Sequence, residues 1–190
     1  MNLIYIIVVF LLTLSSCISS VRWGRVAQRE HYIPGYVTKF YFRWVRLVPF
    51  NNLYFFFCLV LIISSLWSPY PAIILAVVTL FTPVGLSFQY RTSKVSMTQR
   101  LKRLNLTYYL LLIIISTVSI YMDLGYFLAM LANLFSFYVY DQSLRITKGY
   151  EKNTSQKFID DAEDELKNFQ GPIVAITGSY SKTTTKNILS

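Results

Sequence analysis

The residues of this chain whose types and spacing could do chemistry lie close to its end. The apolar run Ile173–Ile176 leads into the ten residues TGSYSKTTTK, Thr177–Lys186. This pattern is typical of a phosphate-binding loop, in which an apolar strand is followed by a loop of small residues and by a Lys and Thr that begin a helix. Gly178 permits the tight turn, Lys182 reaches the β- and γ-phosphates of a triphosphate, and Thr183 ligates Mg²⁺. The predicted nucleotide-binding residues are Thr177, Gly178, Ser179, Tyr180, Ser181, Lys182, Thr183 and Thr184.

The stretch Ile173–Leu189, IVAITGSYSKTTTKNIL, resembles the ATP-binding loop of the Mur ligases, which add amino acids or peptides to the peptidoglycan precursor. Within that family, the TTTK run looks most similar to the ligase that adds D-alanyl-D-alanine. The resemblance implies ATP and Mg²⁺ as cofactors and a UDP-linked muramoyl peptide as substrate. It also implies that a carboxylate is phosphorylated and that an amine attacks the acyl phosphate to form an amide bond. By the same resemblance Lys182 contacts the phosphates and Thr183 the Mg²⁺, and the loop is lined by Thr177, Gly178, Ser179 and Thr184.

Ser181 departs from the motif, which has glycine at this position. If the backbone is left-handed there, a residue with a Cβ costs roughly 1–2 kcal/mol and weakens nucleotide binding about tenfold or somewhat more. The segment 172–190 corresponds to the start of the central ATP-binding domain, and a piece of this length cannot bury a core of its own. We therefore expect an N-terminal fragment of a membrane-anchored Mur-type ligase that does not catalyse by itself.

The rest of the chain has the composition of a membrane protein. Hydrophobic residues make up 54% of the 190 residues and charged residues only 14%, whereas a soluble domain carries about 25% charged residues. A helix needs about 20 apolar residues to cross the hydrocarbon core of a bilayer. We predict a transmembrane domain over residues 1–140, with about five spans near 3–20, 50–67, 71–89, 104–122 and 125–141. The predicted fold class is mainly α, with polytopic membrane helices, then an amphipathic helix and the first strand, phosphate loop and helix start of a truncated α/β ATPase domain.

The excess positive charge lies in two connections between the predicted spans. The connections 22–46 and 91–103 carry all eleven Lys and Arg residues of the first 140 positions, whereas the turns 68–71 and 123–125 carry none. The positive-inside rule then places both basic connections in the cytoplasm. Five spans would leave the N-terminus outside and residues 172–190 inside, where ATP is found. We expect a multi-pass protein of the bacterial inner membrane that contacts lipid and no nucleic acid.

Two segments of the transmembrane domain have a second interpretation. Residues 1–20 could be a signal peptide, although no basic residue precedes the apolar run and a basic cluster follows it, which favours a retained span. The stretch Val21–Phe50 interleaves aromatic and basic residues. It fits either an interfacial helix on anionic lipid, broken in two at Pro34-Gly35, or a plain cytoplasmic loop. The cysteines Cys17 and Cys58 predict neither a disulfide framework nor a zinc site.

Residues 141–171 are predicted to be a linker that contains an amphipathic helix. Five apolar residues share one helical face, namely Phe158, Ile159, Ala162, Leu166 and Phe169. The acidic cluster Asp160–Glu165 points in several directions around the helix, so we interpret it as a solvated face and not as a metal site. Gly171 followed by proline is a helix stop. We expect the apolar face to pack on the strand that follows or on a further domain.

Two other functions fit parts of the sequence. A non-enzymatic polytopic anchor that recruits a partner, with a degenerate phosphate loop, fits Ser181. An unrelated phosphate-loop protein, such as a transporter-linked ATPase, fits the loop alone, but no ionisable residue lies well inside a predicted span to form a conducting pathway. The ligase fragment is the preferred hypothesis because the motif and its predicted side of the membrane agree.

Overall fold

The computed structural model describes residues 3–82, 96–121, 126–169 and 171. Within these ranges the chain forms α-helices and no strand, which confirms the helical part of the predicted fold class. The helices are α1 (Leu3–Arg29), α2 (Tyr36–Leu47), α3 (Pro49–Ser64), α4 (Tyr70–Phe81), α5 (Gln99–Tyr121), α6 (Phe127–Leu134) and α7 (Ser136–Asn168). The chain divides into two compact units, Met1–Glu151 and Lys152–Ser190.

Helix α1 is the centre of the first unit, because it packs against α2, α4, α5 and α6. Its apolar residues Val8, Val9 and Leu12 are buried in one of the two hydrophobic clusters of the unit. Farther along the same helix, Trp23 and Val26 belong to the other cluster. The N-terminal segment of the chain is therefore part of the core of this unit.

Small polar residues of α1 bond directly to neighbouring helices. The Ser15 hydroxyl donates to the carbonyl oxygen of Ala76 at 2.7 Å. The Asn133 amide donates to the Ser16 hydroxyl oxygen at 2.9 Å, and the Tyr108 hydroxyl donates to the Ser16 carbonyl at 3.1 Å. Small side chains allow helix backbones to approach closely, and hydroxyls then form bonds between helices. These contacts hold α1 against α4, α5 and α6.

Contacts at the helix ends show how the helices of the first unit alternate in direction. The Tyr126 hydroxyl, just before α6, donates to the carbonyl of Ser65 at 2.6 Å, and its ring lies 5.5 Å from that of Tyr5 near the start of α1. Toward the other end of α1, Arg22 donates to the carbonyl of Thr82 at 2.7 Å, directly after α4. Helix α4 therefore runs alongside α1 in the same direction, and α3, which packs against α4, runs in the opposite direction.

The described residues do not support five spans. Helices α1 and α5 are long and apolar enough to cross a membrane, and a third crossing results only if α2 and α3, bent by 109°, count as one span. Helix α4 has 12 residues and α6 has 8. The prediction overestimated the number of spans, because one apolar run can contain the end of one helix and the start of the next. Proline occupies the start of α4, and the predicted span 125–141 is split at Phe135 between α6 and α7.

The basic stretch after the first predicted span is helical in two parts. Helix α1 continues to Arg29, a turn follows over residues 30–35, and α2 buries Val37, Tyr41 and Val45 along one face. The predicted break at Pro34-Gly35 is confirmed, and Gly35 has φ +88°, a left-handed conformation that glycine adopts at no steric cost. The interpretation of this stretch as a plain loop is wrong for residues 36–47.

Helix α7 begins at Ser136 and continues to Asn168 without a break. The helix predicted over residues 155–169 is therefore the second part of a longer helix, and most of the segment assigned as linker is helical. In the first unit, α7 buries Phe137, Tyr140 and Leu144. In the second unit, residues 155–169 are exposed, including the apolar side chains Phe158 and Leu166.

Candidate functional site

The predicted phosphate loop lies outside the described residues. This holds for all eight predicted nucleotide-binding positions, Thr177–Thr184, including the predicted Mg²⁺ ligand Thr183. Their roles stay predictions. The described residues supply the elements that precede the loop, and the polar and charged side chains among them gather at one end of the first unit.

This basic end is where the last turn of α1, the turn 30–35, the start of α5 and residue 151 of α7 meet. The Gln28 amide donates to the carbonyl of Ser96 at 2.5 Å. The Tyr32 hydroxyl lies 3.3 Å from that of Thr98, and the Arg100 guanidinium stands over the Tyr32 ring at 4.3 Å. The described parts of the two basic connections, which the charge pattern predicts to lie on the same side of a membrane, are thus in direct contact.

Glu151 of α7 joins this end through two ion pairs. Its carboxylate lies 2.9 Å from Arg103 and 3.6 Å from Arg100, both at the start of α5. The Glu151 side chain is only 11% exposed, whereas the arginines are 37% and 41% exposed. Pairs that are partly screened from water contribute more than fully exposed ones, for which about 0–1 kcal/mol is typical. Glu151 therefore fixes α7 against α5 at the last residue of the first unit.

Asp141 is a buried carboxylate that orients α2. Its Oδ1 accepts the backbone N–H of Gly35 at 3.0 Å, and its Oδ2 accepts that of Thr38 at 2.7 Å. The first N–H groups of a helix have no partner within the helix and carry partial positive charge, so a carboxylate there is stabilising. Asp141 is 1% exposed. It serves as the N-terminal cap of a helix that begins 105 positions earlier in the sequence.

An aromatic cluster packs beneath this cap. The rings of Tyr41 and Phe137 are stacked with centroids 3.8 Å apart, and Trp23 meets both rings edge-on at 6.0 and 6.1 Å. The Trp23 indole N–H donates to the Ser136 hydroxyl at 3.2 Å. Offset and edge-on aromatic pairs contribute about 0.5–1.5 kcal/mol beyond their buried area. The cluster joins α1, α2 and α7 at the level of Asp141.

Sequence reasoning missed Asp141 and Glu151 as positioning residues. Both lie in a region of mixed charge after the apolar segments, and nothing in their spacing points to α2 or α5. One signal was present, since the residues before α2 are Pro34 and Gly35, and no Ser, Thr, Asp or Asn occupies its cap position. A helix start without a local cap requires a partner from elsewhere in the chain.

Among the described residues, the charged groups of the basic end join helices to one another. No group of three or more His, Cys, Asp or Glu residues that could hold a metal ion occurs in that part of the chain. The acidic residues of Asp160–Glu165 are exposed, and Lys167 lies 3.1 Å from Glu163 and 3.5 Å from Asp164. Comparison with protein-family models, with curated proteins and with solved structures finds no match to this chain.

Proposed function

We propose that this chain is the N-terminal, membrane-anchoring part of an ATP-dependent ligase of the Mur type, which forms an amide bond on a nucleotide-linked muramoyl peptide. The observation that carries the proposal is the pattern at 173–189, an apolar run, TGSYSK and TTTK, with its resemblance to the ATP-binding loop of that family. In such an enzyme ATP supplies the phosphoryl group that activates a carboxylate. The donor set fits this role, because Lys182 offers a cation for the phosphates and Thr183 a hydroxyl for Mg²⁺.

The described residues support an anchoring role for the first 151 positions. Helices α1 and α5 present apolar surfaces long enough to cross a bilayer, and their Arg-rich ends lie together at the basic end. By the positive-inside rule this end faces the cytoplasm of a bacterial inner membrane. Residues 172–190 then lie on the side that contains ATP.

Binding of Mg-ATP in detergent to the protein that also carries the rest of the proposed ATP-binding domain tests the nucleotide part of the proposal. We expect micromolar binding that requires Mg²⁺ and that is lost in Lys182→Ala and reduced in Thr183→Ala. Lys157→Ala is the matched control, since Lys157 is an exposed lysine of α7 outside the predicted loop. Binding that survives Lys182→Ala, or that falls equally in Lys157→Ala, would contradict the assigned loop. A Ser181→Gly variant should bind about tenfold more tightly if a left-handed backbone is required there.

Accessibility of single cysteines tests the orientation. In a background in which Cys17 and Cys58 are replaced, a cysteine at Ser68, in the turn between α3 and α4, should react with a membrane-impermeant thiol reagent from outside intact cells. A cysteine at Lys148, in exposed α7 surface, should react only after the cells are opened. The reverse pattern would place the predicted phosphate loop in the wrong compartment and would refute the ligase proposal.

A second candidate is a non-enzymatic membrane anchor that recruits a partner. The observation that favours it is Ser181 in the loop, together with the exposed apolar side chains of Phe158, Ile159 and Leu166 on α7. This candidate predicts no affinity for Mg-ATP even in the full-length context, whether residue 181 is the native serine or glycine. The binding experiment above therefore separates the two candidates.

A further inference from the structure

The first unit contains an apolar groove that the proposed ligase function does not use. It has a volume of about 700 Å³ and lies between α2, α5, α6 and α7, in the size range of ligand pockets. Its walls are almost entirely apolar and include Phe42, Leu111, Ile115, Leu128, Ala132 and Tyr138. The neighbouring residues of α5 are exposed apolar side chains, with Leu110 51% and Ile113 56% exposed. The groove is therefore continuous with a surface that lipid chains cover in a membrane.

Two polar residues, Thr38 and Gln142, belong to the otherwise apolar lining and define its polar end. The Thr38 Oγ1 and the Gln142 Nε2 are buried without a hydrogen-bond partner within the part of the chain that the structure describes. Buried polar atoms are nearly always hydrogen-bonded, and an unpaired donor is costly. Asp141 holds this end in place, because its carboxylate accepts the backbone N–H of Thr38. A ligand with an oxygen acceptor would satisfy the Gln142 amide.

The charges around the polar end favour an anion. Arg145 lies three residues after Gln142 on the same face of α7 and is exposed, whereas the Lys39 ammonium of α2 stands over the Tyr36 ring at 5.0 Å. Residues three or four apart on a helix are neighbours on its surface, so Arg145 stands one turn beyond Gln142. The carboxylate of Asp141 is the opposing charge, and two backbone N–H groups already bind its oxygens.

We propose that this groove binds one molecule of an anionic phospholipid. An acyl chain lies along the apolar walls between α5 and α6, and the Gln142 Nε2 donates to an ester carbonyl oxygen while the Thr38 hydroxyl bonds to a second lipid oxygen. The headgroup phosphate reaches the water-exposed cation of Arg145. An acyl chain fits the long apolar walls, and a soluble anion would leave them uncovered. The site is independent of nucleotide binding at the chain end.

Native mass spectrometry of the whole chain in detergent tests the site, with phosphatidylglycerol and phosphatidylcholine of identical acyl chains supplied at equal concentration. We expect the wild-type chain to retain one phosphatidylglycerol in preference to phosphatidylcholine. Ala132→Phe fills the groove and should abolish retention, whereas Ile113→Phe places the same aromatic side chain on α5 surface outside the groove and should not. Gln142→Leu keeps the volume but removes the donor, and it should lower phosphatidylglycerol retention about fivefold.

Three outcomes would overturn the proposal. If the wild-type chain retains phosphatidylglycerol and phosphatidylcholine equally, lipid covers its apolar surface without a site selective for the anionic headgroup. Equal loss of lipid in Ile113→Phe and Ala132→Phe would place the lipid elsewhere. Unchanged retention in Gln142→Leu, with a melting temperature equal to that of the wild-type chain, would remove the polar end from the site. Because Gln142→Leu is close in volume to the native residue, a folding defect in Ala132→Phe does not leave the question open.

Discussion

Removing the charge of Asp141 should destabilise the first unit far more than removing any exposed carboxylate of the same helix. The wild-type carboxylate accepts two backbone N–H groups at 3.0 and 2.7 Å, in a position that is 1% exposed. In Asp141→Asn one oxygen still accepts, but the amide nitrogen then faces an N–H donor. The substitution therefore loses one charge-assisted bond, worth about 1.5–3 kcal/mol, and the attraction of the carboxylate to the start of α2, worth about 0.3–1 kcal/mol.

We thus expect a loss of about 2–4 kcal/mol in the free energy of unfolding. The measurement is reversible unfolding of the whole chain in mixed micelles, followed by tryptophan fluorescence, since Trp23 packs in the aromatic cluster beneath Asp141. The matched control is Asp161→Asn, an exposed carboxylate of α7, which should change the free energy by no more than about 0.5 kcal/mol.

Hydrogen exchange provides a second readout that is specific for the cap. The amides of Gly35 and Thr38 should exchange faster in Asp141→Asn than in the wild-type chain, because their acceptor is lost. If Asp141→Asn unfolds like Asp161→Asn and leaves these two amides protected, Asp141 is not the cap of α2.

The remaining predictions concern close packing and the ion pairs at the basic end. A Cβ on Gly24 would lie 3.1 Å from the hydroxyl of buried Tyr140, whereas one on Gly149 meets nothing within 4 Å; Gly149→Ala should therefore stabilise by up to about 1 kcal/mol. Gly24→Ala should be at least about 1 kcal/mol less stable than Gly149→Ala, and equal gains in thermal unfolding experiments would contradict the contact. Glu151→Gln should cost about 1 kcal/mol, less at high salt, because it removes two ion pairs. Glu163→Gln, whose partner is exposed, should change the midpoint of denaturation little, and equal effects of the two variants would count against Glu151 as a tie between helices.

Several features of the fold could be predicted from local sequence. The sequence predicts α1 and α5 as helices long and apolar enough to cross a membrane, because the bilayer thickness imposes a minimum length on any spanning helix. The break before α2 follows from Pro34-Gly35, since proline disfavours helical backbone in the residue before it and glycine tolerates positive φ. The polar part of α7 could be predicted as a helix from the spacing of its apolar residues.

The number of spans could not be predicted in the same way. An apolar run has the same composition whether it is one straight helix or a helix, a turn and the start of another. The segment 125–141 illustrates this, because α6 ends at Leu134 and α7 begins at Ser136. The break lies where Phe135 packs against both hydrophobic clusters. No helix-breaking residue such as proline or glycine lies at this position. Contacts with other helices therefore determine where the break falls.

The sequence by itself determined the class of the protein, the charge asymmetry of its connections and the residue types of the predicted phosphate loop, because these depend on composition and on neighbours in the chain. Only the tertiary structure decided which distant residues meet. It brought Asp141 to the start of α2, Glu151 to the arginines of α5, and four helices together around the apolar groove. The physical reason is that a hydrogen bond or an ion pair depends on distances of about 3 Å in space, and many chain paths can bring the same two residues to that distance.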